Sequence, residues 1–284
     1  MSDVILSVRG LGKSYGGRRG LLGGSMPVKR AAEDVSFELH RGESLGIVGE
    51  SGSGKSTVAR LITRLVEPTA GSVTLAGRDF LAMRDEELRS YRQRIQMVFQ
   101  DPYSSLNPRK TIAESIRGPL LERRERLSQQ DMRERVQRHL RDVGLNPPER
   151  YTERFPKDLS GGQRQRVGIA RAIAAEPDII VADEPVSALD VSVRAQVLNL
   201  FNDLRARKGL SYVFISHDLD VIRSVCDRVA VMQAGLVVEI GQVRQILDQP
   251  SHPYTRQLIA SSLRPDPSLY RDRPMERAGA QPAR

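Results

Sequence analysis

The sequence predicts an α/β fold in which a parallel β-sheet is covered on both faces. Three observations predict it. Short runs at Ser44–Val48, 178–182 and Ser211–Ser216 are apolar almost throughout, as strands buried on both faces are. Helical patterns follow each run, the strand–helix alternation of a layered α/β chain. The first run also leads straight into a glycine-rich turn.

Composition bounds the rest. A length of 284 residues suits one large or two small domains with a full core. With 39% hydrophobic and 28% charged residues, a disordered chain is excluded. No run approaches the ~18 apolar residues of a membrane helix. The N-terminus (Met1-Ser2-Asp3-Val4) has no basic flank leading into an apolar stretch, so the chain reads as soluble and cytoplasmic. The single cysteine, Cys226, excludes an internal disulfide framework and a cysteine-rich zinc or iron–sulfur site, and reads as a small buried hydrophobe.

Along the chain, residues 4–15 read as a strand and turn, and 16–30 as a mobile loop with five glycines and four basic residues. Val35–Leu39 alternates apolar and polar residues like a half-buried strand. After Ser44–Val48, a helix is expected from Ser56 to Val66, ended by Pro68. Residues 71–80 look like a hairpin strand. The stretch 84–146 is mostly helical in pattern, with Met132, Val136, Leu140 and Val143 on one face and Gly144 as terminator. Helices near 161–175 and 191–208 flank the strand at 178–182. After Ser211–Ser216 come a helix to about 226 and a hairpin at 228–240. The tail from Arg264 holds four prolines in 21 residues and is expected to be disordered.

The glycine-rich turn carries the first chemistry. Gly49-Glu50-Ser51-Gly52-Ser53-Gly54-Lys55-Ser56-Thr57 fits G-x-x-x-x-G-K-[ST] and lies between a strand and a helix. Glycines let successive backbone N–H groups converge on phosphate oxygens, and the helix adds the positive end of its dipole. Lys55 is expected to reach the β- and γ-phosphates and Ser56 to ligate Mg²⁺.

The strand Ile179-Ile180-Val181-Ala182 ends in Asp183-Glu184, at the edge where open α/β sheets bind ligands. Asp183 is expected to hold Mg²⁺ and Glu184 to orient the attacking water; by itself the acidic pair also fits simple turn chemistry. Leu159-Ser160-Gly161-Gly162-Gln163 precedes a helical run that Ser160 can cap, with two glycines exposing N–H groups to an anion. One chain thus carries two anion-binding helix starts.

Together these residues resemble the ATP-binding subunits of ABC transporters, across nearly all of residues 4–262. The resemblance implies a RecA-like P-loop NTPase core with an antiparallel β subdomain and an inserted α-helical subdomain. It places an ATP-binding domain at 1–245, its helical subdomain at about 101–165, and a C-terminal extension at 246–284. Tyr15 matches the adenine-stacking aromatic, and Gln100 the glutamine that contacts Mg²⁺ and the attacking water. Ser160, Gly161, Gly162 and Gln163 match the signature loop, Asp190 the loop after the acidic strand, and His217 the switch histidine. Tyr15 has packing against the hairpin as its plain alternative, and His217, just before Asp218, has a helix cap. In such subunits two domains pack head to tail with ATP between them, so the two anion sites serve different ATP molecules.

Residues 97–109 (MVFQDPYSSLNPR), the segment Ser251-His252-Pro253-Tyr254-Thr255-Arg256 and the Gly20-Leu21-Leu22 insertion resemble the second ATPase of dipeptide, oligopeptide and nickel importers. That resemblance implies a homologous ATPase subunit paired as a heterodimer, two transmembrane permease subunits and an extracytoplasmic solute-binding protein. It also implies peripheral attachment to the cytoplasmic face of a bacterial inner membrane, with peptides, nickel complexes or glutathione-like molecules as cargo. The alternative for the His-Pro-Tyr segment is a rigid surface turn.

The net charge of +9 is local: residues 16–30 contribute +4, and residues 84–141, with 14 basic and 9 acidic side chains, contribute +5. The larger block falls on the expected helical subdomain, where it suits an anionic membrane surface or a solvated face of Arg–Glu pairs. Neither reading involves nucleic acid, and there is no sustained heptad run to suggest a DNA-handling relative.

Overall fold

The computed structural model describes residues 3–16, 28–101, 105–123 and 127–262. Most of the expected loop at 16–30, residues 102–104 of the glutamine segment, and the proline-rich tail lie outside the described residues.

Six strands form the central sheet, in the spatial order β10 (Leu236–Gln242), β9 (Arg228–Gln233), β3 (Ser44–Val48), β8 (Ser211–Ser216), β7 (Ile179–Asp183) and β6 (Ile95–Val98). Neighbours pair in parallel except at the β9–β10 hairpin. Every residue of β3, β7 and β8 is buried. Their side chains nevertheless alternate between two cores. Leu45, Ile47, Ile179, Val181, Val213 and Ile215 enter one; Ile180, Ala182, Tyr212 and Phe214 enter the other. A strand covered on both faces therefore reads as one unbroken apolar run.

The first core is closed by an antiparallel sheet ordered β2 (Lys29–His40), β1 (Val4–Tyr15), β4 (Ala70–Leu75) and β5 (Arg78–Asp79). It also takes in Val58, Leu61 and Ile62 of α1 (Lys55–Ile62). This helix stops short of the expected Val66. Arg64 takes a left-handed turn (φ 53°), and its buried guanidinium donates to the carbonyls of Phe80 and Met83 at 3.0 and 2.7 Å. That tie diverts the chain before Pro68 is reached.

Around the sheets lie α2 (Asp85–Arg94), α3 (Ile112–Glu122), α4 (Gln129–Asp142), α5 (Glu149–Thr152), α6 (Gly161–Ala174), α7 (Val191–Lys208), α8 (Leu219–Val225), α9 (Val243–Asp248) and α10 (Pro253–Ser262). Thr111 and Ser128 open α3 and α4 with capping boxes to Glu114 and Asp131. The expected face of α4 is buried, and the Gly144 N–H closes the helix on the Arg141 carbonyl at 2.9 Å. Among the described residues, the one core strand hidden in a stretch that reads as helical is β6. Its four residues, Ile-Gln-Met-Val, follow Arg94 directly and are too few to display a period of two. No helix among the described residues is long and apolar enough to cross a membrane.

Two consequences are measurable. His139 of α4 is buried, with Nδ1 3.7 Å from Asp142 Oδ2, and burial pushes its imidazole pKa down to about 4. An unfolded chain takes up that proton near pH 6.5, so stability falls as pH drops from 6.5 towards 4. The full loss is about 3 kcal/mol. Thermal unfolding of His139→Leu across this range should show a flatter pH dependence than the parent; an unchanged slope would refute the assignment. Gly54 has φ 105°, and a Cβ there would lie 2.2 Å from the Ala31 carbonyl oxygen on β2. Gly54→Ala should therefore lose about 2–3 kcal/mol in urea unfolding.

Candidate active site

Residues 49–54 join β3 to α1, and their backbone is crowded by its neighbours. A Cβ at Gly49 would lie 2.1 Å from the Met232 carbonyl oxygen on β9. Only glycine fits there and at Gly54, so the loop is pinned between β9 and β2. Lys55, 4% exposed, donates from Nζ to the carbonyls of Gly49 and Glu50 at 2.7 and 2.8 Å. Burial lowers its pKa, opposed by Glu184, Asp183 and Glu50. Ser53 Oγ is buried with no hydrogen-bond partner.

The carboxyl end of β7 meets this loop. Ser56 Oγ donates to Asp183 Oδ1 at 3.0 Å. Burial raises the Asp183 pKa, and the Ser56 hydrogen bond opposes it. This hydroxyl–carboxylate pair is a donor set that fits Mg²⁺, a hard cation that keeps several waters and binds through one or two protein oxygens and substrate phosphates. Among the described residues no group of three or more His, Cys, Asp or Glu side chains gathers into a self-sufficient metal cage.

Glu184 follows with a left-handed backbone (φ 47°), which costs a non-glycine residue about 1 kcal/mol or more. It is held by its N–H on the Ile215 carbonyl at 3.0 Å and by the Ser187 hydroxyl on its own carbonyl at 3.1 Å. Its Oε2 accepts from Gln100 Nε2 at 3.2 Å and pairs with His217 Nδ1 at 3.1 Å. A carboxylate only accepts, so this contact is a hydrogen bond in the His217 tautomer that carries its proton on Nδ1. Capping of α8 falls instead to Asp218, whose Oδ1 accepts from Asp220 and Val221. His217 is left to face Glu184.

These groups line a cleft of about 560 Å³, with Ser51, Gly52 and Gly54–Thr57 on one wall, Gln100, Glu184 and His217 on another, and Lys29–Ala31 of β2 on a third. Lys29, Arg30 and Lys55 give it positive charge suited to a polyphosphate. The basic pair falls in the stretch read from sequence as a loop, and only the pairing of β2 with β1 brings it here. Tyr15 is half exposed and paired with Lys29, but it does not line the cleft; the Lys13 ammonium sits 5.2 Å from its ring centroid.

A second group stands apart. Ser160 caps α6: its Oγ accepts from Gln163 N at 3.3 Å, and Gln163 Oε1 accepts from Ser160 N at 3.0 Å. A Cβ on Gly162 would lie 2.4 Å from Val193 of α7, which holds the loop against the segment that follows Asp190. Neither Ser160–Gln163 nor Asp190 lines the cleft. The structure thus unites the glycine loop, Asp183, Glu184, Gln100 and His217, and leaves the other anion-binding helix start outside. Sequence reasoning gave Tyr254 no role; it is buried, and its hydroxyl accepts from the Glu50 N–H at 3.1 Å. The His-Pro-Tyr segment was visible, but nothing local said what it touches.

Comparison with known proteins identifies the family. The family described as ABC transporter matches residues 32–187, and the oligopeptide/dipeptide transporter C-terminal region matches 238–284. A probable peptide ABC transporter ATP-binding protein of Sinorhizobium fredii is 51% identical, over 95% of this chain and 76% of its own. A dipeptide transport ATP-binding protein of Haemophilus influenzae is 48% identical, over 95% and 81%. Among solved structures, a dimeric ATP-binding cassette in a post-hydrolysis state, bound to ADP and Pi, superposes with a TM-score of 0.74 at 33% identity, covering 84% of this chain and 99% of that one. With a family match over more than half its length and relatives near half identical along almost all of it, the chain belongs to the ABC transporter family, as an ATP-binding subunit that hydrolyses ATP.

Proposed function

We propose that this chain energises an importer of dipeptides or oligopeptides, with related small solutes such as nickel complexes or glutathione-like molecules as the alternative cargo. The observation that carries the catalytic part is the convergence of Gln100 and His217 on the Glu184 carboxylate, beside Lys55 and the Ser56–Asp183 pair. The cargo class is supported by the C-terminal match and by the peptide and dipeptide transport names of the relatives.

In this reading the phosphates of ATP lie on N–H groups of the Gly49–Thr57 loop, with the Lys55 ammonium on the β- and γ-oxygens; Glu50 belongs to the frame of the loop, its own N–H being given to the Tyr254 hydroxyl. Ser56, Asp183 and Gln100 would hold Mg²⁺, which would neutralise phosphate charge. Tyr15, paired with Lys29, stacks on adenine. Glu184 accepts a proton from water as the water oxygen bonds to the γ-phosphorus, and ADP departs with the bridging oxygen. Gln100 and His217 keep the carboxylate aimed. Ser160–Gln163 and Asp190 stand outside their own cleft, which supports their serving the ATP of a homologous subunit packed head to tail.

The ATP-binding domain occupies residues 1–245 with its helical subdomain at about 101–165, and 246–284 form an extension. The helical layer carries a groove of about 410 Å³ between α3 and α4, lined by Ala113, Arg117, Met132, Arg133 and Val136 among others, which suits contact with one of two permease subunits. Closure of the ATP-bound pair would drive those subunits, fed by an extracytoplasmic solute-binding protein, with the chain peripheral to the cytoplasmic face of the inner membrane.

Glu184→Gln should bind ATP but turn over about 10²–10⁴-fold more slowly; hydrolysis at the parent rate would remove Glu184 from the mechanism. Lys55→Ala should weaken nucleotide binding about tenfold to a hundredfold, the loss of charge-assisted hydrogen bonds. Equal titration curves for variant and parent would sink the loop assignment.

A further inference from the structure

The His-Pro-Tyr segment is built as a mount rather than a turn. Glu239 on β10 accepts the N–H groups of Ser251 and His252 on its two carboxylate oxygens, at 2.8 and 3.2 Å. His252 Nδ1 accepts the Tyr254 N–H at 3.2 Å. Pro253 opens α10 where its missing N–H is no loss. These contacts fix the start of α10, and the Tyr254 side chain, 6% exposed, packs in the same apolar core as Leu258.

The ring alone would satisfy that packing, yet the hydroxyl reaches out of the core to the phosphate loop. It accepts the Glu50 N–H at 3.1 Å. The carbonyl of that same peptide group, Gly49 C=O, accepts Lys55 Nζ at 2.7 Å. One rigid peptide plane therefore bonds to Tyr254 at one end and to Lys55 at the other. Rotation of the plane would break both bonds together, and an acceptor on the N–H strengthens the carbonyl as an acceptor.

We propose that Tyr254 is a positioning residue for ATP binding, acting through the Gly49–Glu50 peptide to fix the phosphate loop and the starting place of Lys55. This rests on the reading of Gly49–Thr57 as the ATP phosphate loop. It assigns the C-terminal extension a direct hold on the nucleotide site, and gives the His-Pro-Tyr order a physical reason. Histidine caps, proline starts the helix and tyrosine delivers the hydroxyl.

The test is Tyr254→Phe in the full-length chain, which keeps the ring and removes only the hydroxyl. Loss of one neutral hydrogen bond to the loop should raise KM for ATP and Kd for ADP about threefold to tenfold. At the same time kcat should stay within about twofold and the melting temperature without nucleotide should be nearly unchanged. Tyr254→Ala, which also empties the ring site, should add a clear fall in melting temperature. A Phe variant with parental KM and Kd overturns the inference, as does one that loses kcat at constant KM, or one that is destabilised without a change in affinity. A parent chain that binds no ATP or ADP overturns the phosphate-loop reading itself, a failure that appears before any substitution is made.

Discussion

The parallel register of four strands is the constraint on which the site depends. Val48 of β3 lies beside Ser216 of β8, Asp183 of β7 beside Ile215 of β8, and Val98 of β6 beside Ala182 of β7. All four strands therefore end at one edge of the sheet, and whatever follows each end is delivered there. The glycine loop follows β3, Glu184 follows β7, His217 follows β8, and Gln100 stands two residues beyond β6. A slip of one strand by a single residue would turn its side chains to the opposite core and draw its catalytic group away from the others. Burial of the three inner strands on both faces makes that slip expensive.

Within this frame the electrostatics are held in tension. Lys55 and Asp183 are both buried, and burial moves each towards its neutral form, down for the amine and up for the acid. Each is offset by a nearby partner: the acidic side chains for Lys55, the Ser56 hydroxyl for Asp183. Glu184 adds backbone strain, sustained by bonds to β8 and Ser187 that hold the carboxylate between Gln100 and His217. In the proposed ATP complex a phosphate chain with Mg²⁺ supplies countercharge to both buried groups at once.

Much of this was legible in the sequence. The three buried strands, α6, α7, the apolar face of α4 and the Ser160 cap were readable because each rests on local pattern or on a capping side chain. The glycine loop and Asp183–Glu184 were readable because phosphate chemistry demands those residue types at a fixed spacing. What escaped reading depends on partners distant in the chain. Four residues of β6 become a strand only because β7 lies beside them, and Lys29 and Arg30 join the cleft because β2 extends along β1 as far as Tyr15. The early end of α1 needs the carbonyls of Phe80 and Met83, and Tyr254 finds Glu50 across about two hundred residues of chain. Tyr15, matched to a stacking role by position, is not among the residues that line the cleft.

The alternation of the inner strands between two cores separates neighbours in sequence from neighbours in energy. Phe214 meets Phe201 of α7 edge to face, with centroids 5.3 Å apart, while the adjacent Val213 and Ile215 belong to the opposite core with α1. The side-chain contacts of Phe214 are with the helices behind the sheet, and those of its chain neighbours are with the other face. The sheet is thus a shared wall between two compartments. Side chains that touch within one compartment are therefore the pairs whose truncations interact most strongly.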